Sequence, residues 1–335
     1  MVESISDYRP PTSVDPKMTR PPALARFRSA FRFAGILGIG AVLVFTLALS
    51  AMAQEVYIWE DDDGIRHLSD RRPEGDYEVR VQRAIAQPEA PVEMTNVGSQ
   101  REPEWRFTNR MHGPVTIAVG LRDSSNVVTD PPLPARIELP AADHRSVVIG
   151  PLDPRAGWRY SIEMAAIPGP LDPDIDNDHR YRVPLAPDQP LHIGQGFGGR
   201  FSHDLPHSRY AVDFALPVGT PVHAARAGTV MDIERYFHRA GRDPERDGPR
   251  ANYVRILHND GSMAVYAHLD YNAVRVRPGE RVEVGQELGR SGNTGFSTGP
   301  HLHFAVQVNR GMRLVSVPFR MDDHKGRAIY TGSSN

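Results

Sequence analysis

The chain has 335 residues, a formal net charge of −2 and no cysteine, which leaves room for two or three modest domains. Without cysteine there is neither a disulfide nor a thiolate-ligated metal, so a metal site must use histidine and carboxylate. No basic block with interleaved aromatics occurs, so a nucleic-acid footprint is not supported.

Residues 1–22 are polar and proline-bearing, the composition of a disordered leader. Arg26, Arg28 and Arg32 then precede an apolar run at 33–49, followed by Ala51-Met52-Ala53. That order is the pattern of an export signal cleaved after Ala53. The run of about 17 residues is also at the short edge of a membrane span, so an inner-membrane anchor is the alternative. Either way, the rest of the chain is expected outside the cytoplasm, in the periplasm or cell envelope.

Residues 54–75 predict a short β-hairpin module. Val56, Tyr57, Ile58 and Trp59 alternate loosely, Asp63-Gly64 turns the chain, and Ile65 and Leu68 resume. Tyr57, Trp59, Asp61, Gly64, Ser69 and Asp70 resemble a small module found near the amino terminus of many exported proteobacterial proteins. The resemblance implies a cell-envelope setting and no known chemistry. Residues 76–102, with Pro88 and Pro91, carry little periodicity and read as a linker.

At 103–180, strand-like segments at 105–110, 114–121, 135–140, 144–150 and 158–167 are separated by Pro, Gly and Asp turns. They predict a small β-sandwich with Trp105 and Trp158 in its core. The acidic run at 172–179 lacks the glycine and terminal glutamate of a calcium loop and reads as a solvated connection.

Residues 181–320 change character, with short β-rich runs that mostly abut a glycine and no segment of helical period; 321–335 read as a tail. The fold class is all-β, as two packed antiparallel sheets or a flattened barrel. Eight of the fourteen histidines fall between positions 203 and 303. In "HLHF", His301 and His303 project to one face of a strand while Leu302 and Phe304 point to the core. In "YAVDFA", Asp213 shares a face with Ala211 and Ala215, where an unanswered carboxylate would cost several kcal/mol. In "AVYAHLD", alternation groups His268 with Ala264 and Tyr266. Two imidazoles and a carboxylate are a donor set that suits zinc. His223 and His258 match no such position and read as structural or surface residues.

The stretches "GQGFGG", "HSRYAVDFALPVGTPVHAARAGTV", "NYVRILHNDGSMAVYAHL" and "VRPGERVEVGQELGRSGNTGFSTGPHLHFAV" span roughly 190–315. Together they resemble the lysostaphin-type zinc metallopeptidases, the M23 family of peptidoglycan endopeptidases. The resemblance implies an antiparallel β fold with a grooved active site and one Zn2+. It implies Asp213 and His303 as metal ligands. His268 and His301 become the catalytic histidines that orient and deprotonate the attacking water and support the developing oxyanion; which of them is the base stays open. It also implies peptidoglycan as the substrate. Apart from that resemblance, the small β-sandwich is expected to be available to other cell-envelope proteins.

One departure concerns the first ligand. The family pattern of histidine, three residues, aspartate would need a histidine at 209, where this chain has Arg209. His203 and His207 stand ten and six residues before Asp213. Along a straight strand even the nearer lies about 20 Å away, at roughly 3.3 Å per residue, so the chain must fold back. Asp204 and Pro206 favour such a turn. With the "GQGFGGRFSH" lead-in they make His203 the expected ligand and His207 a loop residue.

Two rivals remain. "VRVRPGERVEVGQELG" resembles the hairpin of biotinyl and lipoyl carriers, but no lysine stands between Lys17 and Lys325 to be modified. The other rival is a zinc-free envelope scaffold of the same fold that regulates other wall hydrolases.

Overall fold

The computed structural model describes residues 54–60, 66–69, 72–84 and 90–330. The leader, the segment at 33–49 and the Asp63-Gly64 turn lie outside the described residues. Strands dominate what is described. One four-residue helix, Pro244–Asp247, and one 3-10 turn, Gly248–Arg250, interrupt them.

The largest sheet has eight strands. Ile193–Gln195, Ala211–Ala215, His301–Arg310, Met263–Ala267, Tyr253–Leu257, Gly228–Glu234 and Arg281–Val282 lie side by side in that order, and Arg313–Ser316 pairs with His301–Arg310. Every pairing within it is antiparallel. Period-two alternation sorts its residues. Val212, Phe214, Val254, Ile256, Ala264, Tyr266, Leu302 and Phe304 enter one buried cluster. Phe304 packs edge-on to Tyr181, Tyr266 and Phe319. Burying each such ring stabilises the fold by about 2 kcal/mol. Asp213, His301 and His303 occupy the alternate positions on the two neighbouring strands, so a sheet held together by its apolar face presents them on the other.

Before it in the chain, Val92–Asn96, Glu104–Asn109, His144–Pro151 and Val127–Asp130 make a four-stranded sheet. Arg159–Pro168, Val115–Ser125 and Ala135–Leu139 make a three-stranded one. Phe107, Val147 and Ile149 of the first share a core with Ile117, Val119 and Leu139 of the second. Met231 and Met263 of the eight-stranded sheet belong to that same core, so these layers are continuous with it rather than a separate body. Gly113 marks the join. A Cβ there would sit 2.8 Å from the Met231 side chain, and the neighbouring His112 N–H donates to the Met231 carbonyl at 2.9 Å.

Two boundaries expected from sequence need correction. The stretch 76–102 contains two paired strands: Arg80–Ala84 runs beside Gln54–Glu60, and Val92–Asn96 beside Glu104–Asn109. Both are five-residue edge strands; Val81 of the first is exposed, and only Val92 and Met94 of the second join the core with Phe107, so they carry little hydrophobic signal. The tail is also structural. Arg320–Asp322 pairs in parallel with Arg180–Arg182, and Met321 is fully buried. Near the amino terminus, Gln54–Glu60 also pairs with Arg66–Ser69, and Ile58 is buried against Tyr236 and Tyr271.

Candidate metal centre

The site begins with a strand pair. Asp213 lies directly opposite His303 across Ala211–Ala215 and His301–Arg310, on the face away from the core. Residues so paired bring their side chains together without help from a loop. His303 Nδ1 is 2.9 Å from Asp213 Oδ1.

A third residue arrives from a loop. Ser208 and Arg209 N–H groups both donate to the Leu205 carbonyl, at 3.0 and 2.8 Å, and Ser208 Oγ donates to the Ser202 carbonyl at 2.7 Å. These bonds carry the chain away after His203 and return it to the strand. His203 is fully buried, with Nε2 3.2 Å from the same Asp213 oxygen. One ligand atom each from His203, Asp213 and His303 lies within 4.8 Å of the others. Among the described residues no other group of His, Asp and Glu does so. His207 stays outside this group, exposed on the loop, with its carbonyl accepting from Gln307 Nε2 at 2.8 Å.

The local electrostatics call for a cation. His203 Nδ1 is 2.7 Å from the Gly196 carbonyl, which can only accept, so Nδ1 carries the ring proton. In the neutral ring Nε2 is then a lone pair facing a carboxylate lone pair, and a proton or a metal must lie between them. Burial pushes Asp213 up, but the bonds from His203 and His303 outweigh it and hold the carboxyl well below the usual range. An ionised carboxylate between two imidazoles, one already tied to a carbonyl through its far nitrogen, fits zinc.

Two more imidazoles flank the group. His268 lies 4.5 Å from His301 and 5.8 Å from His303, centroid to centroid. His268 Nδ1 donates to the Thr294 carbonyl at 2.6 Å, and His301 Nδ1 to the Gly299 carbonyl at 2.8 Å. Each neutral ring therefore presents Nε2 as an acceptor, and that of His301 is 3.9 Å from Asp213 Oδ1. Burial, reinforced by the neighbouring His301 and His303 rings, pushes His268 down to about 3. Burial lowers His301 too.

His268 does not follow the alternation expected of it. Ala264 and Tyr266, with which it was grouped, are in the core. Strand Met263–Ala267 ends just before His268, whose φ of 64° lies in the left-handed region. That turn brings the ring beside His301 and His303 instead of following Tyr266 inward. Gln195, not expected at the site from sequence, pairs with Asp213 in the sheet and donates to Ser202 Oγ at 2.9 Å. A single glutamine carries no motif by which to find it.

Comparison with known proteins now adds to this geometry. Residues 207–314 match peptidase family M23. The chain carries an M23 peptidase domain. The match takes in Asp213, His268, His301 and His303 but begins after His203. Residues 43–94 match a domain of unknown function, DUF4124. Over 126 residues the chain is 37% identical to peptidoglycan DD-endopeptidase ShyA of Vibrio cholerae, covering 36% of this chain and 26% of that protein. Over 101 residues it is 40% identical to lysostaphin of Staphylococcus simulans, covering 30% of this chain and 18% of that one. The similarity thus spans about a quarter or less of the length of these relatives.

Proposed function

We propose that residues 181–320 form a zinc-dependent endopeptidase that hydrolyses peptide bonds in peptidoglycan stem or cross-link peptides. The observation that carries this is the convergence of His203, Asp213 and His303 ligand atoms beside two imidazoles anchored through Nδ1. The names of the M23 relatives point the same way for substrate class.

His203 through Nε2, Asp213 through a carboxylate oxygen and His303 through Nδ1 would hold the ion. Three protein ligands leave a position open, as hydrolytic zinc sites require. When bound, zinc supplies a Lewis acid that polarises the scissile carbonyl and acidifies water at neutral pH. The chain supplies the proton acceptor. His268 and His301 are neutral at physiological pH and aim Nε2 acceptors, so either can take a proton and return it to the leaving amine. Neither can donate from Nε2 until it has first been protonated there. The carbonyls of Thr294 and Gly299 keep both rings oriented through that transfer.

The basic flank, apolar run and Ala51-Met52-Ala53 support placement in the periplasm, with an inner-membrane anchor through 33–49 as the alternative. Among the described residues no helix is long and apolar enough to cross a membrane, and 33–49 lies outside them. The paired sheets between 92 and 168 are read as the small β-sandwich and offered as the surface for other envelope proteins. Purified protein should contain one zinc and release new amino groups from isolated peptidoglycan, and a chelator should stop the release. Zinc-loaded protein that leaves peptidoglycan intact would refute the proposal.

A further inference from the structure

The left-handed turn at His268 is held from behind by a buried polar clamp. Asn252 and Thr294 are 0% and 2% exposed. The Asn252 side-chain amide donates to three carbonyls: Phe237 at 2.7 Å, and Leu269 and Asp270 at 3.2 Å each. Its Oδ1 accepts from the Phe237 N–H at 2.9 Å. Its backbone carbonyl accepts from the Leu269 N–H at 3.0 Å. The Asn252 N–H donates at 3.0 Å to Thr294 Oγ1, which in turn donates to the Leu269 carbonyl at 2.9 Å. The Thr294 carbonyl then receives His268 Nδ1. Four segments, at Phe237, Asn252, Leu269 and Thr294, meet here, and two glycines let them. A Cβ on Gly292 would lie 2.5 Å from the Asp270 backbone, and one on Gly295 would lie 2.7 Å from Ala251 Cα.

We propose that Asn252 and Thr294 are positioning residues for the reaction: together they fix the His268 backbone in its left-handed turn and aim its ring, without touching substrate or metal. A non-glycine residue at positive φ is disfavoured and persists only where its surroundings impose it. Leu269, the residue after the turn, is gripped at both its N–H and its carbonyl, and the ring itself is tied to the same clamp. Neither Asn252 nor Thr294 contributes to the group of candidate ligands, so losing either should spare the metal. The inference rests on His268 acting in hydrolysis as proposed above.

The deciding comparison is Thr294→Val, which keeps shape and loses the hydroxyl, against Thr294→Ser, which keeps it. Zinc content, kcat, KM and the His268 ring resonances are measured on full-length protein, with Asn252→Ala alongside. Thr294→Val should lower kcat by up to ~100-fold, the scale of a misplacement of about 1 Å, with KM and zinc little changed. Thr294→Ser should restore kcat, and the His268 Nδ1 proton signal should shift or broaden only in Thr294→Val and Asn252→Ala. If Asn252→Ala does not fold, the threonine pair decides. Equal kcat and an unmoved ring signal in Thr294→Val would overturn the proposal, as would equal losses in the valine and serine variants. The ring signal reads positioning even in protein that hydrolyses nothing. Inactivity of the unmutated, zinc-loaded protein would instead refute the function proposed above.

Discussion

Two nearly buried aspartates sit at opposite ends of the eight-stranded sheet, with side-chain exposures of 13% for Asp213 and 10% for Asp260. Strand Met263–Ala267 runs between their neighbourhoods, starting just past Asp260 and ending just before His268. Asp260 is answered in full. Arg226 Nη1 donates to it at 2.8 Å, Ser262 Oγ at 2.7 Å, and the Ser262 and Asp176 N–H groups at 3.1 Å each. Arg226 itself also reaches Asn259 Oδ1 at 2.9 Å. Asp213 has no guanidinium, and its close partners are imidazoles able to turn a lone pair toward an ion. Burial alone therefore does not mark function. A buried carboxylate closed by a permanent cation holds the fold, whereas one left among neutral ligands is available for chemistry.

The largest effect expected of this contrast is on metal. Asp213→Ala, His303→Ala or His203→Ala should each abolish stoichiometric zinc and hydrolysis, while His207→Ala should retain both. Elemental analysis beside a peptidoglycan turbidity assay reads this directly. If His207→Ala lost zinc and His203→Ala kept it, the loop assignment would be reversed. Next in size, His268→Ala and His301→Ala should keep zinc and lose roughly 10²-fold or more in turnover, the scale of a lost acid–base or electrostatic group. Turnover within a few-fold of the unmutated enzyme would remove either residue from the mechanism.

What could be read from sequence follows from how each residue is placed. Strand parity groups His303 with His301 and sets Asp213 apart from Val212 and Phe214, and parity survives folding, but only the resemblance brought the two strands together before the sheet pairing did. His203 was reachable because Asp204, Pro206 and the glycines before it announce a turn. His268 was found by its resemblance to a motif, but its direction was not legible: alternation sends it inward with Tyr266, and only contacts with distant Asn252 and Thr294 reveal the turn. The strands Arg80–Ala84 and Val92–Asn96 were missed because each is a five-residue edge strand with few apolar side chains, too short for a clear alternation. The parallel strand at Arg320–Asp322 was missed because its partner, Arg180–Arg182, is about 140 residues earlier in the chain.

At the Asp260 end, substitution should cost stability and spare the metal. Arg226→Ala leaves a nearly buried carboxylate without its cation and should destabilise the fold by about 3 kcal/mol. Urea unfolding would show this as a lower midpoint with zinc content unchanged in native conditions. Loss of zinc in protein that remains folded would mean that the two ends are not independent.

The smallest effect expected is on the acid limb of stability. Burial pushes Asp260 up, but the bonds from Ser262 and Arg226 outweigh it and bring the carboxyl from 3.8 down to about 2. A carboxyl with a folded pKa below its unfolded value contributes stability above the unfolded pKa. That contribution fades as pH falls through the interval between the two values. Asp260 should thus help fully at pH 6 and progressively less between about pH 4 and pH 2. Asp260→Asn has no such titration, so the stability gap between it and the unmutated protein should narrow across that interval. Chelator in both samples removes zinc release from the comparison, and Asp213 titrates equally in each. Urea midpoints at several pH values that stay parallel for the two proteins would show that Arg226 and Ser262 do not hold the Asp260 proton off, and the contrast between the two aspartates would then rest on geometry alone.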